Sequence, residues 1–481
     1  VFTGVVAPVV TAPPSAFNLN YTSAATPFVS SVSPNNGTTL GGTVVTLTGT
    51  GFPTAVGDVA VALNGMACAV QSTSATVITC VTGQRTTINP VAIAVRVAGA
   101  SAATNGLALY DASRTYFRYL DRWSELSTWK YNEPPLAGDT VIIPEGQSVL
   151  MDVATPRLFL VLVQGELIFD RKDVSFDAFY IFVHGGRFEV GTEAEPFLQR
   201  AVITAHGDRY GTIELPEVGA KMLAVMDRGG ADSHGEGSHS HGSGLQGRRF
   251  SQGNLELHGR PRRRVWTLLD VTAAAGTDVI TLSEDVDWEA GERLVVTAPG
   301  NLNDVEEVVV AEVLGARSLR LTAPLANAHR SGWFAAGAYG HADVDMRAEV
   351  GLLSRNVILQ GDDRSERQMF GVHMGAFHGG VLRVENIEIR RCGQAGLLGR
   401  YCSHTHMLSD DWVSYIRGNS IHHSQQRATT IHATNYLTVK HNFAYNVFGH
   451  TIFVEDGVER WNVIEENLVV RTKICSFCTD S

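Results

Sequence analysis

Four asparagines recur in strand-like stretches of the last third of the chain: Asn386 in "RVENIEI", Asn419 in "YIRGNSI", Asn442 in "VKHNFAY" and Asn467 in "VIEENLVV". The last three are 23 and 25 residues apart. A repeat of this size is one winding of a stacked solenoid, whose backbone groups stay unpaired until the next winding covers them. Asparagines at equivalent corners can then hydrogen-bond up and down the stack. The spacing predicts a parallel β-helix over residues 299–472. The first gap, from Asn386 to Asn419, is 33 residues and so longer than its neighbours. Its excess contains "GRYCSHTHMLSDDW", which is expected to project as a loop or bulge, where function tends to sit. Were it a strand, His404 and His406 would point the same way.

Register then says what such a stack gathers. With Asn419 over Asn442, His432 falls over Glu455, Arg427 over His450 and His423 over Asn446. His422, Asp456 and Glu459 lie close by, and His404 and His406 arrive from the long gap. Buried groups of these types need partners, so a network is expected. Three readings stay open. One is a structural polar ladder that fixes coil register. Another is a divalent metal site, calcium or zinc, with His404, His406, His432 and His450 as ligands. The last is a catalytic cleft. There Glu455 or Asp456 works as acid or base on a glycosidic bond while Arg427 or His432 holds an anionic sugar.

Bulk properties narrow the class. The 481 residues are too many for one core, glycine is abundant at 48, and only 18% of residues are charged. Val, Ile and Thr recur without long helical periodicity, which indicates an all-β chain. A net charge of −11 argues against a nucleic-acid partner. The short basic run "GRPRRRVW" is expected to be a solvated turn. The sequence contains no apolar run long enough to span a membrane, although a longer parent protein could carry an anchor.

Organisation follows from punctuation. Residues 1–26 are rich in Pro, Ala, Ser and Thr and are expected to be a linker or the tail of a preceding domain. Residues 27–111 hold short strands with frequent turn signals, the pattern of a β-sandwich. A hairpin there could join Cys68 to Cys80 as a disulfide, which implies an oxidising compartment. Sequons at Asn20 and Asn36 fit a glycosylated surface. From 121 to 298, "WSELSTWKYNEPPLAGDTVIIPEG", "GELIFD", "FEVGTEAEPF", "LELHG" and "VDWEAGERLVV" give strand, glycine corner, strand. An insertion near 231–252 carries His234, His239 and His241 in a Gly/Ser/His loop. The tail 473–481 contains Cys475 and Cys478 as a lone C-x-x-C, weak as a metal motif.

These stretches carry a resemblance. "SPNNG", "GGTVVTLTGTGF" and the "ITC" cysteine resemble the IPT/TIG domain, an immunoglobulin-like module of surface receptors. The glycine-cornered block looks like the eight-glycine domain. "CGQAGLLGRYCSHTHM", "YIRGNSIHHSQQRATTIHATN" and "NVFGHTIFVEDGVERWNVIEENL" resemble a signature shared by the fibrocystins and the cell-surface hyaluronidases. Cys402-Ser403 and Thr405 depart from the usual residues of that signature. The resemblance implies an IPT/TIG sandwich followed by a right-handed parallel β-helix whose first part is the eight-glycine domain. The hyaluronidase branch implies calcium-dependent endo-cleavage of hyaluronan. The fibrocystin branch implies a large cell-surface or ciliary, receptor-like glycoprotein. An IPT/TIG domain directly ahead of the glycine block matches the fibrocystin side, so the expected role is binding or adhesion at the cell surface, towards a glycan, a matrix component or a surface protein.

Overall fold

The computed structural model describes residues 27–475 apart from 64, 86–93, 98–108, 111–114, 116, 230–251, 300, 336, 338–339 and 341. It divides into two compact units, Val1–Leu120 and Asp121–Ser481. Asn20, the histidines at 234, 239 and 241, and Cys478 lie outside the described residues.

The first unit is a seven-stranded, mostly antiparallel arrangement in which Val44–Thr50 pairs with Phe28–Ser33 on one side and Val77–Thr82 on the other. Alternate residues face inward, so Val45, Leu47, Ile78 and Cys80 are fully buried together. Cys68 and Cys80 are joined as a disulfide across neighbouring strands. Asn36 is half-buried in a short strand.

The second unit is a parallel β-helix of three strand columns. One is a sheet of nine strands running from Asp121–Arg122 to Val463–Glu465. The second contains Met222–Met226, His373–Phe377, Ser403–Asp410, Thr429–Asn435 and Ile452–Val454, each hydrogen-bonded in parallel to the next. The third contains Val357–Gly361, Glu388–Arg390, Ser420–His422, Phe443–Phe448 and Leu468–Lys473. Inward residues of all three columns, such as Val384, Ile389, Thr405, Ile416, Ile421 and Ile431, are buried and stack coil on coil.

Asparagine rungs close the corners between columns. Asn442 Oδ1 accepts from the backbone N–H of Asn419 at 3.0 Å and from its Nδ2 at 3.1 Å. Asn467 Oδ1 does the same for Asn442 at 2.9 and 3.0 Å. Asn386 is not a rung. The residue level with Asn419 is Ile387, whose N–H donates to Asn419 Oδ1 at 3.0 Å. Asn386 sits one position earlier, with a left-handed φ of 55°.

Two expectations about the solenoid are corrected. The first is that it does not run unbroken through 299–472. Between Asn254–His258 and Val357–Gly361 the chain leaves the stack and builds a six-stranded antiparallel sheet from Trp266–Leu268 to Glu349–Leu352. Its Glu306–Gly315 and Ser318–Leu321 strands are joined by a tight turn, and it has its own core around Leu294, Leu319 and Val350. The insert seats on the third column: a Cβ on Gly351 would collide with the Phe443 ring. The arginines of "GRPRRRVW" are ion-paired to the insert, with Arg260 on Glu289 at 2.7 Å and Arg264 on Glu284 at 2.6 Å. The run is otherwise the exposed turn expected, with Arg263 and Arg264 both facing solvent.

The second correction concerns "SHTHM". It is not a projecting loop. Ser403–Asp410 is a regular strand of the second column, hydrogen-bonded to His373–Phe377 and Thr429–Asn435, with one bulge between His406 and Ser409. The extra length lies upstream. Residues 391–402 leave the stack and are pinned back by a Cys392–Cys402 disulfide, both sulfurs fully buried.

Candidate functional site: a histidine–carboxylate cluster on the outer wall

Parallel stacking places His406 level with His432 and His404 level with Thr430. His404 and His406 share the outer face, because Thr405 between them points into the core beside Ile431. The 391–402 excursion then roofs this face. Tyr401 packs edge-on to His404 with ring centroids 5.0 Å apart, and Phe377 lies 6.1 Å from it on the other side. An outward-pointing histidine is thus only 2% exposed.

The nitrogens converge. His432 Nδ1 lies 3.0 Å from His406 Nδ1, and one nitrogen from each of His404, His406 and His432 falls within 4.8 Å of the others. Glu455 completes the group: its Oε2 is 4.0 Å from His404 Nε2 and 3.8 Å from His432 Nδ1. Asp456 Oδ2 lies 3.3 Å from His432 Nε2. Burial, then mutual repulsion with His432, lowers the His406 pKa to about 4. Burial, reinforced by His406 and His432, drives His404 well below its ordinary value. Both rings are therefore neutral at pH 7, the form that offers a lone pair.

Arg427 is 2% exposed and fixed from three sides. Its guanidinium lies over the Phe453 ring at 3.9 Å, donates to Tyr401 Oη at 3.0 Å and approaches Glu455 Oε1 to 3.8 Å. His450, expected among the ligands, is exposed and stacks on Phe453 outside the cluster. His423 turns away to Glu307 of the insert at 3.1 Å, and His422 is buried on Glu388 at 3.2 Å. Glu459 Oε1 caps the Ala433 N–H at 3.0 Å.

Beside the cluster the same column opens into a surface cleft of about 610 Å³ lined by Ser409, Asp410, Ala433, Asn435, Val458, Glu459 and Arg460. One or two residues on in sequence from its lining residues Asp410, Asn435 and Arg460, three aromatic rings stack. Trp412 lies on Tyr436 with centroids 3.5 Å apart, and Tyr436 on Trp461 at 6.4 Å. Trp412 and Trp461 are each 68% exposed. The sequence reading missed this ladder, although its 24- and 25-residue spacing matches the coil and would have found it.

Comparison with known proteins agrees with this architecture. Residues 27–111 match the IPT/TIG domain, 128–270 the G8 domain and 369–481 the CEMIP beta-helix. Mouse and human Fibrocystin-L are each 33% identical to the chain over 495 aligned positions, covering 94% of it. The chain belongs with the fibrocystin-like proteins. It spans only 11% of the length of Fibrocystin-L. Protein rliB of Dictyostelium discoideum is 27% identical over 73% of this fibrocystin-like chain and 29% of its own length. Among solved structures, the tailspike gp61 of Pseudomonas phage phi297 is similar at 10% identity and a TM-score of 0.20, over 66% of this chain and 42% of that one.

Proposed function

We propose that this fibrocystin-like segment is an extracellular, cell-surface recognition module, and that it binds neutral glycans along the outer wall of its second strand column. The observation that carries the reading is the pairing of the polar cleft with the Trp412–Tyr436–Trp461 ladder. A sugar ring has an apolar C–H face and a hydroxyl rim. Exposed indoles supply the apolar platform, and a few fixed acceptors and donors read the hydroxyls. Asp410 and Asn435 are already joined at 2.9 Å, so their remaining lone pairs and N–H are held in place.

Charge selects the class of glycan. The cleft presents Asp410 and Glu459 against Arg460, and the chain carries −11 overall. A polyanion such as heparin or hyaluronan is repelled, and a neutral chain is not. The two disulfides, Cys68–Cys80 and Cys392–Cys402, support an oxidising, extracellular setting.

The alternative, calcium-dependent cleavage of hyaluronan, draws less support. A glycosidase acid must reach the glycosidic oxygen. Glu455, whose side chain is 12% exposed, is turned towards Arg427 and Tyr401 behind His432. Calcium takes oxygen ligands, and this set is dominated by imidazole nitrogen. A glycan array bearing neutral glucans, mannans and galactans beside hyaluronan and heparin tests the proposal. Binding confined to neutral probes is expected. Shortening of hyaluronan that stops on chelation would overturn it.

A further inference from the structure

We propose that His404, His406 and His432, with Glu455 in the fourth position, hold a divalent transition-metal ion of the zinc class. This goes beyond the glycan reading and does not depend on it.

The remote nitrogen of two of the three rings is already assigned. His404 Nδ1 lies 3.2 Å from the Gly399 carbonyl, so it carries the hydrogen and Nε2 keeps the lone pair. His432 Nε2 faces Asp456 Oδ2 at 3.3 Å, which leaves Nδ1 as the lone-pair atom. A carboxylate or carbonyl behind a histidine is the usual support of a metal ligand, because it fixes the tautomer and raises basicity. Here both supports leave a free nitrogen within 4.0 Å of Glu455 Oε2.

His404 Nε2 and Glu455 Oε2 are both buried and both lack a hydrogen bond among the described residues. They face each other at 4.0 Å, too far for a hydrogen bond and near enough to share an ion. A tetrahedral zinc with ligands about 2.0–2.1 Å away sets its donors about 3.3 Å apart. The Nδ1–Nδ1 separation of 3.0 Å and the carboxylate separations of 3.8 and 4.0 Å bracket that value. Side-chain rotations that shorten the longer separations, none above 4.8 Å among the three imidazoles, close the shell. The donor set, three imidazoles and one carboxylate, suits zinc or cobalt and not calcium.

The test uses the whole chain carrying His234→Ala, His239→Ala and His241→Ala, so that the histidine-rich insertion cannot contribute. After stripping with chelator, zinc and cobalt(II) are titrated by calorimetry and by the visible absorption of tetrahedral cobalt. One equivalent of each should bind, raising the unfolding temperature, while calcium at the same concentration does neither. His432→Ala and His406→Gln should abolish the cobalt spectrum, and His450→Ala should leave it intact. Asp456→Asn, which keeps every ligand, should weaken zinc about 10-fold. Circular dichroism of each stripped variant separates lost ligation from lost fold. Absence of stoichiometric zinc binding by the folded protein, or an unchanged spectrum in folded His432→Ala, would overturn the assignment.

Discussion

Arg427 and Glu455, 28 positions apart in sequence, meet inside the outer wall of the solenoid with Nη1 and Oε1 3.8 Å apart. Their side chains are 2% and 12% exposed. Removing one partner of a buried pair leaves the other charge uncompensated, at a cost of about 3 kcal/mol. Glu455→Gln should therefore lower the unfolding free energy of chelator-stripped protein by about that amount, where no metal can contribute. Urea denaturation with an unchanged slope checks it; a variant as stable as the parent would show that Arg427 is held without the carboxylate.

The corner asparagines give a second test. Asn442 accepts from Asn419 and donates to the Ile416 carbonyl at 2.8 Å. Asn442→Ala leaves those buried groups unpaired, a loss of about 2–4 kcal/mol. Ile387 already occupies the level above Asn419, where the stack closes without an asparagine side chain of its own. Asn386→Ala should accordingly cost much less, since that residue is off the ladder. Equal losses at the two positions, measured by thermal unfolding, would contradict the register described.

Acid should loosen the glycine-cornered coils through His258. It is 1% exposed, its Nε2 meets Tyr415 Oη at 2.8 Å, and burial lowers its pKa from 6.5 to about 4. Glu256, Glu193, Arg383 and Arg417 surround it without reversing that shift. The unfolded chain takes up this proton first, so the contribution is complete above pH 6.5 and is lost as pH falls towards 4. The whole effect is about 3 kcal/mol. His258→Gln removes the titration, so the stability gap between parent and variant should shrink from pH 7.5 to pH 4.5. A gap independent of pH would place the acid sensitivity elsewhere.

The stack is legible in the sequence because equal windings convert sequence distance into height. Asn419, Asn442 and Asn467 fell on one ladder, and His432 beside Glu455, for that reason alone. The same arithmetic failed at Asn386, where the winding is one residue shorter than the asparagine gap. The "SHTHM" strand was misplaced because polar residues in an over-long winding look like a loop. Nothing in the spacing said that the slack sat upstream, behind Cys392 and Cys402. The antiparallel insert was illegible because alternating strands read alike in either kind of sheet, and only the partner strand distinguishes them. Trp412, Tyr436 and Trp461 were readable from the coil period and were passed over.

The central claim is that the cleft and the aromatic ladder form a seat for neutral sugars. Trp412 is the residue to change, since its exposed ring bears on Tyr436 and on none of the proposed metal ligands. The most direct measurement is calorimetric titration of the strongest neutral oligosaccharide from the array into the parent chain and into Trp412→Ala. Loss of one aromatic platform should weaken binding by about 10-fold, in line with roughly 0.5–1.5 kcal/mol per aromatic contact beyond its area burial. Affinity unchanged in Trp412→Ala, or a preference for heparin over every neutral glycan, would contradict it.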